Sequence, residues 1–323
     1  IVVEYEYSDR NYQRWMIHTN NEWEYKNFSY RLNFFTEFDD RNSPLNQSLS
    51  DTQKVILSQT GDLIDQAFSP AADSVGFNTN EVLYKKIDTL VNSQIYSIYV
   101  YSTHPDSAFY RLNFTKVGQG NGNYVLLPSV VNGRVYGWVA PNPDGTRNGE
   151  YEPVVKLVTP KSQRLFTFGT TYKPGRKWEL DAEGALSHYD LNTFSDLNSD
   201  DDFGYAFRIQ ARYQTPLNKK EKDTLRLDSR ITYEQVNEFF KPVIRFRSVE
   251  FDRDWNFVNR NNPNSFVQNT IQGTDYIPQL SVEITQPSWG KAGYSGGAYL
   301  KGDFYQAFRN GVILDVQKKR WEL

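Results

Sequence analysis

Few residues in this chain have the types and spacing to do chemistry, and the most suggestive lie in one acidic stretch. Asp196, Asn198, Asp200 and Asp202 fall at positions 1, 3, 5 and 7 of a calcium-loop pattern, in which alternate oxygens converge on one cation. Position 6 is Asp201 where that loop turns on glycine, and position 12 is Phe207 where it closes with glutamate. Calcium is the one cofactor these residues suggest, and a solvated acidic hairpin loop is the simpler account. Gly118, Gly120 and Gly122 outline a phosphate-cradling loop. A dinucleotide site, however, needs its glycines between a strand and a helix, and here a Pro-punctuated β region follows, so a turn accounts for them. Tyr136 and Trp138, in a Gly-rich stretch, are the expected exposed aromatic platform for a sugar or another flat ligand.

Charged residues invite a catalytic reading. Glu179, Asp181 and Glu183 lie beside Arg208 and Arg212, with Arg226, Asp228 and Arg230 on a further strand. Such cross-strand pairs contribute about 0.2 to 1 kcal/mol each and form ordinary ladders. A glycosidase-like carboxylate pair is compatible with them, but acids on so many strands single out none. There is no Cys, and His18, His104 and His188 are far apart, which leaves no thiolate nucleophile and no recognisable metal spacing. No catalytic residue can be assigned, and the expectation is a non-enzymatic protein.

The elements that carry these residues are long ribbons. Trp178, Leu180, Ala182, Gly184, Leu186 and His188 alternate with Lys177, Glu179, Asp181, Glu183, Ala185 and Ser187. Phe203, Tyr205, Phe207, Ile209, Ala211 and Tyr213 repeat the pattern against Gly204, Ala206, Arg208, Gln210, Arg212 and Gln214. A period of two means strands with one apolar and one polar face. Two settings produce this: a soluble sheet packed on a core, or a transmembrane barrel with lipid outside and water within. The runs exceed the about 5 to 6 residues of ordinary strands and reach the about 9 to 11 that cross a bilayer. Length favours the barrel.

Composition agrees with that reading. With 22 Tyr, 21 Phe and 7 Trp, aromatics make 15% of 323 residues, which suits girdles at membrane–water boundaries. A mean hydropathy of −0.67 excludes helical spans but not barrel strands, half of whose residues are polar. A formal charge of −3 gives no polyanion signature, so no nucleic-acid partner is expected.

Three regions follow. Residues 1–41 read as first barrel strands, from Ile1, Val3, Tyr5 and Tyr7 through Trp15, Trp23 and Phe28 to Phe34. Residues 42–163 read as a mixed inserted subdomain. There Ser50 or Asp51 caps one helix that Gly61 can end, and Leu83, Ile87 and Leu90 share the face of a predicted second helix. A strand over Gln94–Ser102 follows, then tight turns at Asn132-Gly133 and Asp144-Gly145. Residues 164–323 read as further barrel strands with long loops. The opening IVVEYEYSD, already strand-like and without Met, suggests a piece of a longer chain.

The phrases GQGNGNYV, NGRVYGWVAP, GEYEPVVKLVTP and RSVEFDRDWN, with VVEYEYSDRNYQRW and NQSLSDTQKVILSQTGD, resemble those of large, uncharacterised outer-membrane β-barrel proteins of the Bacteroidota. The resemblance covers most of the chain, and its motifs sit at turns and strand ends. It implies the outer membrane of a Gram-negative bacterium, contact with outer-membrane lipid, and a longer parent chain. It supplies no catalytic residues. The expectation is thus an all-β protein, an antiparallel transmembrane β-barrel or a piece of one, with an inserted subdomain. Its role would be pore, scaffold or subunit of an outer-membrane export, insertion or uptake complex, with other outer-membrane or periplasmic proteins as partners. The alternative is a secreted or surface-attached β-sandwich that binds glycan or protein.

Overall fold

The computed structural model describes residues 13–42, 47–128, 133–218, 220, 222–257, 273–318 and 321–322. The chain divides into two compact units. One is built on a single antiparallel sheet, the other on Asn42–Thr159 with Phe194–Leu197.

The large sheet contains β1 (Arg14–Tyr25), β2 (Phe28–Asp39), β3 (Ser162–Tyr172), β4 (Trp178–Asp190), β5 (Phe203–Pro216), β6 (Arg226–Val236), β7 (Asp275–Gln286), β8 (Gly290–Lys301), β9 (Tyr305–Lys318) and β10 (Trp321–Glu322). They lie side by side in chain order, each antiparallel to the next. Apart from the short β10, the strands have 11 to 14 residues. Alternation in the sequence sets the register. Glu183 faces Arg208, Glu179 faces Arg212, and Trp178 faces Tyr213. Shifting any strand by one residue would move its whole apolar set to the polar face.

Short connections (Lys26-Asn27, 173–177, 217–225, 287–289) gather at one end of the sheet. Apart from the tight turn at 302–304, the other end sends out the long segments 40–161, 191–202 and 237–274. Among the described residues the sheet does not close into a barrel: β1 and β9 are not paired with each other. The alternating run expected from Ile1 to Tyr7 lies outside the described residues.

In the second unit, α1 (Asp51–Thr60) starts as its sequence predicts. Ser50 Oγ accepts from Gln53 N–H while the Gln53 side chain accepts from Ser50 N–H, and Gly61 follows the last turn. This reciprocal cap satisfies two N–H groups that the first turn leaves unpaired. Leu57 packs with Leu49, Ala67 and Leu157. The helix predicted through Leu83, Ile87 and Leu90 is instead a strand, Tyr84–Val91, paired with Gln94–Tyr101. The deciding signal is the turn: Asn92 and Ser93 both have positive φ, 51° and 64°, as a two-residue type I′ hairpin loop requires. The inserted unit also ends a little before residue 163, since Ser162 already pairs with Phe38 and Asp190 in the large sheet.

Candidate functional site

Two surfaces of the large sheet are candidates, because alternation gives each face a distinct chemistry. The first carries Trp15, Ile17 and Trp23 of β1, Phe34 and Phe38 of β2, Phe166 and Phe168 of β3, and Leu186 of β4. It continues through Phe203 and Ile209 of β5, Ile231 of β6, Leu280 of β7 and Val312 of β9. These side chains are open: Leu186 is 58% exposed, Ile209 53%, Ile231 60% and Val312 80%. Asn21 and Arg164 are polar interruptions. Among the described residues of this unit no second sheet lies over the face, because its strands all belong to one sheet. An uncovered apolar surface spanning nine strands far exceeds the few hundred Å² that a water-exposed surface usually tolerates.

Aromatic residues collect at both ends of this face. At the short-turn end Trp23 stacks on Tyr30 (5.6 Å between ring centroids), Phe28 on Tyr172 (4.3 Å), and Trp178 lies 4.7 Å from Tyr213. Trp15, Phe38 and Phe203 mark the opposite end. From Trp15 to Tyr25 the chain advances ten residues, about 33 Å at about 3.3 Å each. At the tilt of about 40° that strands take in membrane barrels, a run of this length would span about 25 Å.

The opposite face is polar and internally paired. Arg31 Nη2 donates to Asp181 at 3.2 Å, and Thr171 Oγ1 donates to the same carboxylate at 2.7 Å. Arg208 lies 3.7 Å from both Asp181 and Glu183. Arg212 Nε donates to Asp228 at 3.1 Å, and Gln214 donates to it at 2.6 Å. These carboxylates are engaged by cationic or hydrogen-bonding neighbours, which is the arrangement of a structural ladder.

Onto this face folds a strap, residues 237–257, from the β6–β7 connection. Asn237 N–H donates to Tyr205 O, and Lys241 N–H donates to Ser187 Oγ at 3.0 Å. Gly204 explains the close approach, since a Cβ there would sit 2.2 Å from Phe240 N. Further along, Arg247 pairs with Glu234 at 3.1 Å and Asp275 at 2.8 Å, and its guanidinium lies 4.3 Å from the Phe251 ring centroid. Asp275 is buried and also receives Lys301 Nζ at 2.9 Å and Tyr299 Oη at 3.1 Å. The helical turn Phe251–Asp254 then seats Trp255 against Ile277 and Tyr299.

Between strap and sheet lies a cleft of about 440 Å³. Its polar floor includes Asn33, Thr167, Glu183 and Arg208, and its apolar roof includes Phe240 and Ile244. At the short-turn end, Asp223 ties two turns together: Gln286 Nε2 donates to it at 2.6 Å and Ser288 N–H at 2.9 Å. Those bonds hold its carboxyl below the ordinary carboxylate value, with Ser288 the larger cause.

The residues singled out in the sequence fare differently. Tyr136 is not an exposed platform. It is 7% exposed, stacks 4.3 Å from Phe114, and donates its backbone N–H to the Tyr84 hydroxyl at 3.0 Å. It belongs to a tyrosine-rich core in which burial pushes Tyr124 up to about 12. Trp138 is half-buried, 5.9 Å from Tyr96. The alternating cage expected from Asp196, Asn198, Asp200 and Asp202 does not form either. Ser199–Asp201 is a 3-10 turn entered from Asn198 in the left-handed region (φ 62°), with Asp200 exposed and Asp202 buried. At three residues per turn, side chains two apart diverge, so Asn198, Asp200 and Asp202 do not aim at one cation. The strap had no signal in periodicity. Its traces in the sequence are the phrase RSVEFDRDWN, which carries only a resemblance, and Gly204, a missing side chain on an otherwise regular strand.

No helix among the described residues is long and apolar enough to cross a membrane, which says nothing of crossing by strands. No protein-family model, no curated protein and no solved structure matches the chain.

Proposed function

We propose that the large sheet is the membrane-embedded wall of an outer-membrane β-barrel in a Gram-negative bacterium. Its apolar face contacts lipid and its polar face borders the lumen. The observation that carries this reading is the uncovered apolar face with aromatic residues at both ends. Strand length and the sorting of short turns to one end and long loops to the other support it, as in transmembrane barrels. By the same rule the short turns face the periplasm, and the inserted unit and the strap's connection leave from the outer end. The role is non-enzymatic: pore, scaffold or subunit of an export, insertion or uptake complex, with the strap narrowing the lumen.

A β-sandwich that binds glycan or protein would need a second sheet over the apolar face, and the uncovered face does not favour it. The test is partition of the native protein. Resistance to carbonate washing, extraction by detergent and a heat-modifiable gel band are the expected results. Release into the wash as a stable β protein contradicts the proposal.

A further inference from the structure

We propose that the two edges left open among the described residues, on β1 and β9, are joined by an odd number of additional long strands, running opposite to β1 and supplied by the protein's own polypeptide. This rests on the barrel reading above.

Nine long strands joined by eight antiparallel pairings leave β1 and β9 running the same way. Direct closure would make a parallel seam, whereas single-chain bacterial outer-membrane barrels are antiparallel throughout and even in strand number. In lipid an unpaired edge is untenable, because each bare N–H and C=O costs several kcal/mol. A second copy in the same membrane orientation does not solve the problem. It would set its own β9 beside β1, again in parallel. Only strands of opposite direction, in odd number, satisfy both edges.

The edges are built to be paired. Every residue of β1 is exposed, and the strand carries no Pro, the commonest single-residue block to edge pairing. On β9, Phe308, Val312 and Leu314 are 74%, 80% and 69% exposed. The first missing place is already marked: Trp321–Glu322 turns back antiparallel onto Gln317–Lys318. A strand continuing from there runs opposite to both β1 and β9. The strand that meets β1 must place apolar residues level with Trp15, Ile17 and Trp23, and polar ones level with His18, Asn20 and Glu22, so that both faces stay continuous.

Photo-crosslinking of the full-length protein in its native membrane tests this. Benzoylphenylalanine is placed at Asn20 on β1, at Arg309 on β9, and at Leu186 on the apolar face as a reference, and products are mapped by mass spectrometry. Adducts from Asn20 and Arg309 are expected in peptides of the same polypeptide outside residues 13–318. An Asn20 adduct within β9 would show a parallel seam and overturn the proposal. So would an adduct to an identical copy, distinguished by mixing isotope-labelled and unlabelled protein, or to a different protein. Lipid adducts at Leu186 without strand adducts at either edge overturn the seam and leave the barrel standing. Loss of lipid adducts at Leu186 overturns the barrel reading itself.

Discussion

Arg31 reaches Asp181 across an intervening strand, at 3.2 Å, because Gly169 lies between them without a side chain. A Cβ at Gly169 would come within 2.9 Å of Arg31 Nε. The glycine, unremarkable in the sequence, is thus what lets β2 be tied to β4 over β3. Since Arg31 is well exposed, the bond itself contributes at most about 1 kcal/mol. Gly169→Val should displace the guanidinium and lower the temperature of the heat-modifiability transition by a few degrees, as Arg31→Ala should. The double variant should be no worse than the worse single one, which a thermodynamic cycle checks.

Arg247 holds the strap to the sheet through Glu234 and buried Asp275. Arg247→Ala leaves Asp275 with Lys301 and removes the strap's ion pairs to Glu234 and Asp275, leaving Asp254 with Arg309. Because Lys301 and Tyr299 still engage Asp275, the loss is smaller than for a buried charge left alone, about 2 kcal/mol. Trypsin cleavage at Arg245 should become fast in the variant while the sheet stays intact, as limited proteolysis would show.

Gly204→Val attacks the same contact from below. Its side chain would overlap the backbone of Phe239 and Phe240, so the strap must lift. If the strap narrows a lumen, single-channel conductance should rise in both Gly204→Val and Arg247→Ala. Unchanged conductance with a lifted strap would show that it does not obstruct the path.

The hairpin turn at Asn92-Ser93 stores strain, because Ser93 holds φ 64° without being glycine. Ser93→Gly should stabilise this unit by about 0.5 to 1 kcal/mol, read as slower hydrogen exchange across Tyr84–Tyr101.

Glu152 gives the inserted unit a pH dependence. Burial pushes its carboxyl above the ordinary value, against the pull of Arg147 at 3.2 Å and Asn123 at 2.6 Å. A raised folded value means that the folded state binds the proton more tightly than the unfolded chain. Stability is therefore highest at acid pH. It declines as pH rises from the ordinary carboxylate value through the raised one, and then levels off. Glu152→Gln should remove this decline, measured as hydrogen exchange of Tyr124–Leu127 against pH.

The wall of this fold was legible and much of its decoration was not. Strict alternation from Trp178 to Tyr213 gave strands and faces, because period two leaves a sheet little freedom, while the pairing of Glu183 with Arg208 came from the structure. Leu83, Ile87 and Leu90 misled because three apolar residues at helical spacing weigh less than a turn that Asn92 can form. Tyr136 misled because a Gly-rich stretch suggests an exposed turn, yet its ring packs on Phe114 and its backbone N–H satisfies the buried Tyr84 hydroxyl. The acidic loop reads first as a solvated hairpin connection, with calcium as the weaker alternative, because Asp201 and Phe207 depart from the calcium pattern. The strap was illegible because its partners, Ser187, Glu234 and Asp275, meet it through tertiary contacts rather than local pattern.

The absence of cysteine makes the most direct test of the lipid-facing wall straightforward. Single substitutions Leu186→Cys, Ile209→Cys and Ile231→Cys on one face, with Gln210→Cys, Ser281→Cys and Arg230→Cys on the other, would be probed in native membranes with a water-soluble maleimide. The account predicts that the first set is refractory until the membrane is dissolved, while the second reacts wherever the lumen is wet. Equal and rapid labelling of Leu186, Ile209 and Ile231 in intact membranes would contradict it.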